Sequence, residues 1–314
     1  MPELPEVETI RRGLDRRLRG ARITRVEIRE PRLRRVIDED ALRALVGRRI
    51  EGIARRGKYL LADVGGGMVW LMHLGMSGRL LLLPSDAPAG EHEHVRIEFD
   101  LPIKGRDEGR SRWSRTAPAK RPTKPAAFPG GRSRWSRLAP GEQPTKLALC
   151  YRDPRRFGWM RIAPAEALGE LDGLGPEPLN GRLRAETLRA RLRGTRRDVK
   201  AALLDQRVLA GIGNIYANEI LFHAGVRPTR RCNRLRCADL DAIVRATRSV
   251  LGDAVLRRGT SFSDYFDSDG TPGSFQEVLA VFDRAGQPCR RCGGTVQRRR
   301  HGGRSSFYCP GCQR

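Results

Sequence analysis

Two residues able to do chemistry stand at the very start of the chain, in MPELPEVETI: Pro2 directly after the initiator methionine, then Glu3. A small second residue favours removal of Met1, which exposes a secondary amine on a short, rigid N-terminus. Such an amine can form an iminium with an aldehydic carbon, as lysine amines form Schiff bases. A carboxylate beside it is of the type that carries protons. At the other end Cys289, Cys292, Cys309 and Cys312 form a C-x2-C-x16-C-x2-C pattern. Two such pairs offer four thiolates to one tetrahedral zinc, and a fourfold protein set leaves no open position, so this zinc holds a fold and does not activate water. Between the pairs lie Arg298, Arg299, Arg300, His301 and Arg304, cations on a hairpin suited to phosphate contact.

The elements that must position these groups are legible as periodicities. Pro2, Pro5 and the nearby glutamates suit a helix N-terminus, where proline fits and acidic groups oppose the dipole. Val7, Ile10, Leu14 and Leu18 continue it at helical spacing. A structural role and a nucleophilic role for Pro2 do not conflict. Next come ARITRVEIRE, RRIEGIARRGKYLLADV, MVWLMHLGMSGRLLLLP, HVRIEFD and LALCYRDPRRFGWMRIAP, which alternate as short strands and predict a sandwich or barrel-like core. From about Ala165 the pattern turns helical, in AETLRARLRG, RDVKAALLDQ, GNIYANEILFHAG and ADLDAIVRATRSVLGDAVLRRG, after a linker LGPEPLN. Gly211 and Gly213 predict a tight turn into a helix, whose backbone amides, with Asn214, suit a phosphate; the same glycine pair also reads as a plain turn.

Composition narrows the partner. The 314 residues carry 61 Lys+Arg against 36 Asp+Glu, a net charge of +25. Charge of that size attracts polyanions, and nucleic acid is the leading candidate. An anionic membrane surface competes poorly, because the sequence shows no long apolar run, no hydrophobic N-terminal signal and no lipidation motif. The expectation is a soluble cytoplasmic monomer. Cys150, Cys232 and Cys237 are scattered and read as ordinary thiols of a reducing compartment.

Residues 101–147 differ in character. GRSRWSRTAPAKRPTK from Gly109 returns as GRSRWSRLAPGEQPTK from Gly131, a tandem repeat of 22 residues, and the stretch holds 12 Lys+Arg against 3 Asp+Glu. It has no periodic apolar face and reads as a disordered insertion in a hairpin loop. Either it is a nucleic-acid tether with Trp113 and Trp135 stacking on bases, or it is a duplicated loop without such a role.

PELPEVET, RRGKYLL around Lys58, HLGMSGRL at His73, DPRRFG at Asp153, LGPEPL, GIGNIYANE, SDGTPGSFQ and the terminal four-cysteine hairpin follow one another in an order that resembles bacterial formamidopyrimidine-DNA glycosylase. The resemblance spans nearly the whole chain except the repeat. It implies an α+β architecture: an N-terminal helix with a β-sandwich, then a helix-two-turn-helix domain with a zinc-finger β-hairpin. Expected divisions are 1–163 for the sandwich, with 101–147 inserted, 164–180 for a linker, 181–262 for the helical DNA-binding domain, 263–279 for a damage-recognition loop and 280–314 for the zinc finger.

The resemblance also implies the chemistry: a bifunctional DNA glycosylase and abasic-site lyase of base excision repair, with one structural Zn2+, acting on double-stranded DNA that contains 8-oxoguanine, formamidopyrimidines or abasic sites. Pro2 would be the nucleophile, Glu3 the general acid/base with Glu6 in support, Lys58 the proton donor of β-elimination and Arg304 that of δ-elimination. A base must leave the stack to be reached. Met76, Arg155 and Phe157 match the side chains that fill the gap, with Arg155 facing the orphaned cytosine. His92, Lys200 and Asn214 match phosphate contacts. Thr195 stands where the family has a further phosphate-binding lysine, and Arg196 beside it is the substitute. The rival readings are an endonuclease VIII-like glycosylase for oxidised pyrimidines, a non-catalytic protein that binds damaged DNA, and a zinc-ribbon RNA-binding protein. As for the repeat, deleting residues 105–146 should preserve excision and make the salt dependence of DNA binding shallower. An unchanged slope of log K against log salt removes the tether reading.

Overall fold

The computed structural model describes residues 2–102, 146–262, 265–301 and 303–314. The chain divides into two compact units: Met1–Pro2, Glu6–Glu170 and Thr260–Gly273 make the first, and Glu3–Pro5, Leu171–Gly259 and Ser274–Arg314 make the second.

In the first unit, helix α1 (Leu4–Leu18) buries Val7, Ile10, Leu14 and Leu18, the face set by its periodicity, in the main apolar core. That core lies with two four-stranded antiparallel sheets. One has the order β1 (Arg22–Ile28), β6 (Glu93–Asp100), β7 (Lys146–Arg152), β5 (Arg79–Pro84); the other runs β2 (Gly52–Arg56), β3 (Tyr59–Asp63), β4 (Met68–His73), β8 (Trp159–Pro164). Two sheets with separate edges make this a sandwich and not a closed barrel. A short helix α2 (Glu39–Arg43) starts at Asp38, whose side chain accepts the N–H of Ala41.

The register of β6 and β7 pairs Asp100 with Lys146, so the repeat leaves and returns at one end of this ladder, as a hairpin insertion would. Lys146 and Leu147 belong to β7, and Leu101 packs against the core, so the insertion is shorter at both ends than 101–147. The expected disorder, and Trp113 and Trp135, fall outside the described residues.

The second unit holds α3 (Ala185–Leu192), α4 (Val199–Leu203), α5 (Asn214–His223) and α6 (Cys237–Leu256). Helix α5 is buried along Tyr216 to Phe222, which is why its sequence shows little amphipathic contrast. Between α4 and α5 the chain makes two turns stapled by one side chain: the Gln206 amide donates to the carbonyls of Leu204 and Ile212 and accepts the N–H of Gly211. The expected linker is itself tied to these turns, through Gly175 N–H to the Gln206 carbonyl and Ala210 N–H to the Pro176 carbonyl. The C-terminal hairpin pairs β9 (Gln297–His301) with β10 (Arg304–Tyr308). It is anchored by α5, where Asn218 accepts the Phe307 N–H and Glu219 accepts three successive N–H groups, from Ala280, Val281 and Phe282. Among the described residues no helix is long and apolar enough to cross a membrane.

Candidate active site and DNA-binding residues

Pro2 is buried at the head of the chain, in the first unit. Glu3, the next residue, is 2 % exposed and belongs to the second unit. Its carboxylate accepts N–H groups from Gly213 at 2.7 Å, Ile215 at 2.9 Å and Tyr216 at 3.3 Å, while the Leu4 N–H reaches the Gly211 carbonyl at 3.0 Å. These are the unpaired donors of the first turn of α5, where a negative charge also meets the positive end of the dipole. The two glycines are explained by closeness: a Cβ on Gly213 would lie 2.2 Å from the Glu3 carboxyl carbon, and one on Gly211 would lie 2.7 Å from Leu4, at a φ of +87°. The turn therefore cradles an anion, but that anion is Glu3; the amides offered by the sequence to a phosphate are occupied.

Glu6 is also buried, and its carboxylate accepts the Thr260 N–H at 2.8 Å while its carbonyl accepts the Tyr265 hydroxyl at 3.3 Å. It thus holds the start of the segment expected to recognise damage. Lys58 stands 8 % exposed in the turn from β2 to β3. Beside it is His73, which in the sequence is only a part of HLGMSGRL. The ladder pairs His73 with Tyr59, their rings 5.0 Å apart, and His73 stacks on Trp159 at 6.1 Å. Burial, then the charges of Lys58, Arg34 and Arg35, push its pKa down to about 4. Its Nδ1 accepts the Gly75 N–H at 3.1 Å, which leaves Nε2 as the protonated donor of a neutral ring. Only a cross-strand register brings residues 59 and 73 together, so no local signal could have paired His73 with Lys58.

Met76 and Phe157 are each 40 % exposed, unusual for large apolar side chains, and the Arg155 guanidinium lies 4.7 Å over the Phe157 ring. A Cβ on Gly75 would sit 2.3 Å from the Phe157 backbone, so the two loops touch through glycine. His92 is exposed and adopts a positive φ of 55°. Arg196 is exposed, and its carbonyl accepts from Arg231. Arg304 is exposed at the start of β10.

Lys200 is placed differently from a surface phosphate ligand. It is 4 % exposed, and its ammonium donates to the Ser305 carbonyl at 2.6 Å and the Ser306 hydroxyl at 3.0 Å. Burial, followed by repulsion from Arg304, pushes its pKa down to about 8. Asn214 joins it, donating to the Ser305 carbonyl at 3.3 Å, and its buried Oδ1 has no protein partner. Lys200 and Asn214 thus brace the strand that carries Arg304.

The Sγ atoms of Cys289, Cys292, Cys309 and Cys312 lie within 4.8 Å of one another, with pairs at 3.5 and 3.8 Å. Tetrahedral zinc with Zn–S bonds of about 2.3 Å requires sulfur separations of about 3.8 Å. The set fits one structural zinc. Cys150 and Cys232 are buried free thiols and Cys237 an exposed one.

A sandwich, a helix-two-turn-helix unit and a four-cysteine hairpin on one chain define the class, a zinc-hairpin DNA glycosylase. The family models agree: the formamidopyrimidine-DNA glycosylase N-terminal domain matches residues 1–160, the H2TH domain of the same enzymes residues 174–265, and the zinc finger found in FPG and IleRS residues 286–314. The formamidopyrimidine-DNA glycosylases of Laribacter hongkongensis and Sinorhizobium medicae are 39 % and 42 % identical, each over 100 % of both chains. Among solved structures, the Lactococcus lactis enzyme in complex with abasic-site DNA is 29 % identical with a TM-score of 0.79 over 99 % of both chains. MutM in complex with DNA containing carbocyclic 8-oxo-G is 29 % identical with a TM-score of 0.79 over 100 % of both. The chain belongs to the formamidopyrimidine-DNA glycosylase family, whose members are glycosylases and abasic-site lyases of base excision repair.

Replacing Glu3 by Gln turns an amide NH2 towards at least one of three backbone donors. The unfolding free energy should fall by about 1–3 kcal/mol in urea titration, alongside any loss of activity. His73 sets a second expectation. A histidine whose folded pKa lies below its unfolded value of 6.5 supports the fold fully above pH 6.5 and loses that support as pH falls towards 4. His73→Gln should therefore flatten the fall in the urea midpoint between pH 6.5 and 5, whereas Glu8 and Glu93, held at about 2 because their arginines outweigh burial, keep their full contribution above the usual carboxylate value of 4.5 and lose it as pH falls from there towards 2.

Proposed function

We propose that this enzyme excises oxidised purines, chiefly 8-oxoguanine opposite cytosine and formamidopyrimidines, from double-stranded DNA through a Schiff base at Pro2, as a cytoplasmic monomer. The supporting observation is the Glu3 carboxylate, buried and fixed by three backbone N–H groups one peptide bond after the proline. With Met1 removed, the Pro2 nitrogen attacks C1′ and the bond from C1′ to the damaged base breaks. The proton lost by the Pro2 nitrogen on attack passes through Glu3 to the ring oxygen, the bond from C1′ to that oxygen breaks and the sugar opens, nitrogen and C1′ form an iminium, and the departing base takes a proton from water. The iminium acidifies C2′; loss of that proton expels the 3′ phosphate, and a second elimination expels the 5′ phosphate. Lys58 and Arg304 serve as proton donors to these two steps.

Met76, Arg155 and Phe157 enter the gap left by the flipped nucleotide, with Arg155 facing the orphaned cytosine. His92, Arg196 and Asn214 hold phosphates, and Lys200, which shares the Ser305 carbonyl with Asn214, adds its charge. The solved relatives carry Fapy-dG, abasic-site and 8-oxo-G analogue DNA, which supports this choice of lesion. Zinc, bound by the four cysteines, keeps the Arg304 hairpin folded and takes no part in the reaction.

Borohydride trapping on a duplex with 8-oxoguanine opposite cytosine tests the reading. Wild type should yield a covalent adduct that maps to Pro2, and Pro2→Gly should reduce it. An unblocked N-terminal proline with neither adduct nor strand cleavage on this lesion, but with trapping on an oxidised pyrimidine, would move the enzyme to the endonuclease VIII-like specificity.

A further inference from the structure

The loops that carry Met76, Arg155, Phe157 and His92 come from three separate parts of the sequence, and one residue meets all three, two through its carboxylate and the third through its backbone N–H. Asp153 is fully buried. Its Oδ1 accepts the Ser77 hydroxyl at 2.6 Å, next to Met76. Its Oδ2 accepts the Gly158 N–H at 2.8 Å, next to Phe157, and the Tyr151 hydroxyl at 3.0 Å. Its own N–H donates to the His92 carbonyl at 3.1 Å, and its carbonyl accepts the Arg156 N–H at 3.1 Å. A register shift in β6 between Glu93 and Val95 frees His94 from the ladder, and the His94 Nε2 lies 2.8 Å from the Asp153 carbonyl.

The packing around this hub admits little slack. A Cβ on Gly158 would lie 1.9 Å from the Tyr151 hydroxyl, one on Gly78 2.9 Å from it, and one on Gly75 2.3 Å from the Phe157 backbone. Burial, and then the adjacent Asp153 charge, raise the pKa of Tyr151 well above its ordinary value, so it remains a donor. Hydrogen bonds to a buried carboxylate are strong and directional, because an ion removed from water has no alternative partners. Met76 and Phe157 stay exposed on short loops, so their placement must come from beneath.

We infer that Asp153 is a positioning residue for opposite-base discrimination: it locks the Met76 loop to the Arg155–Phe157 loop so that the gap-filling side chains and the base-facing guanidinium enter DNA as one rigid head. This rests on the reading of those three residues given above. Asp153 touches no DNA and moves no proton.

The test is the ratio of single-turnover excision rates for 8-oxoguanine opposite cytosine and opposite adenine, a ratio that a smaller folded fraction leaves unchanged. Asp153→Ala should lower the preference for cytosine by roughly tenfold, since it abolishes two charge-assisted links between the loops. Asp153→Asn should restore it to near the wild-type value, because the amide oxygen can accept from Gly158 and Tyr151 while its NH2 donates to Ser77. An unchanged ratio in Asp153→Ala, or an equal loss in Asp153→Asn, overturns the inference. Should Asp153→Ala fail to fold, Ser77→Ala decides, since it cuts only the link to the Met76 loop: a lowered ratio supports the inference and an unchanged one overturns it. A wild type without preference for cytosine would instead sink the underlying reading of the three gap-filling residues, an outcome distinct from a preference that survives the substitution.

Discussion

The first turn of α5 has backbone N–H groups with no partner inside the helix, and the carboxylate of Glu3 satisfies three of them. Much else follows from this contact. It requires glycine at 211 and 213, because any side chain would collide with Leu4 or Glu3. It fixes the chain one bond beyond the Pro2 nitrogen, which, unlike a lysine ammonium, has no flexible stem to wander on. A catalytic group built into the main chain is as well placed as the backbone around it.

The same device recurs. In a chain with 25 more positive than negative charges, buried carboxylates are the fixed points around which backbone and arginines are arranged. Glu3, Glu6, Asp153 and Glu219 each accept backbone N–H groups that their own elements leave unpaired. Glu93, fully buried at its side chain, gathers Arg96, Arg152 and Arg29. A buried carboxylate without partners would cost several kcal/mol, so each acts as a strict geometric constraint. The residues expected to meet DNA lie in the chain immediately next to one of these carboxylates or to a group bonded to it: Pro2 beside Glu3, and Phe157 and Met76 beside Gly158 and Ser77, which donate to Asp153.

Cations divide by burial into two kinds. Arg155, Arg196 and Arg304 are exposed, as phosphate or base contacts must be. Lys58 and Lys200 are nearly enclosed. Lys200 spends its hydrogen bonds on Ser305 and Ser306, in the strand that begins at Arg304. Next to Lys58, the neutral His73 offers a donor without adding charge to an already positive neighbourhood. Desolvation dominates both lowered pKa values, and like-charge repulsion follows.

The sequence by itself determined the elements and the metal set: the α1 face through Val7, Ile10, Leu14 and Leu18, the strands through alternation and the zinc set through cysteine spacing, while Pro2 and Glu3 stood out as residue types able to do chemistry. These are local patterns, and local patterns survive in one dimension. The tertiary structure decided what the acceptors accept. The amides of the Gly211–Gly213 turn read equally well as a phosphate cradle, until a residue 210 positions away filled them. Lys200 carries no sign in the sequence of its burial against Ser305 and Ser306. His73 and Asp153 were letters in motifs until cross-strand register and loop contact put Lys58 beside one, and His92, Ser77 and Gly158 beside the other. Hydrogen-bond partners across such separations leave no periodic trace, because they depend on the closure of the sheets and not on any spacing along the chain.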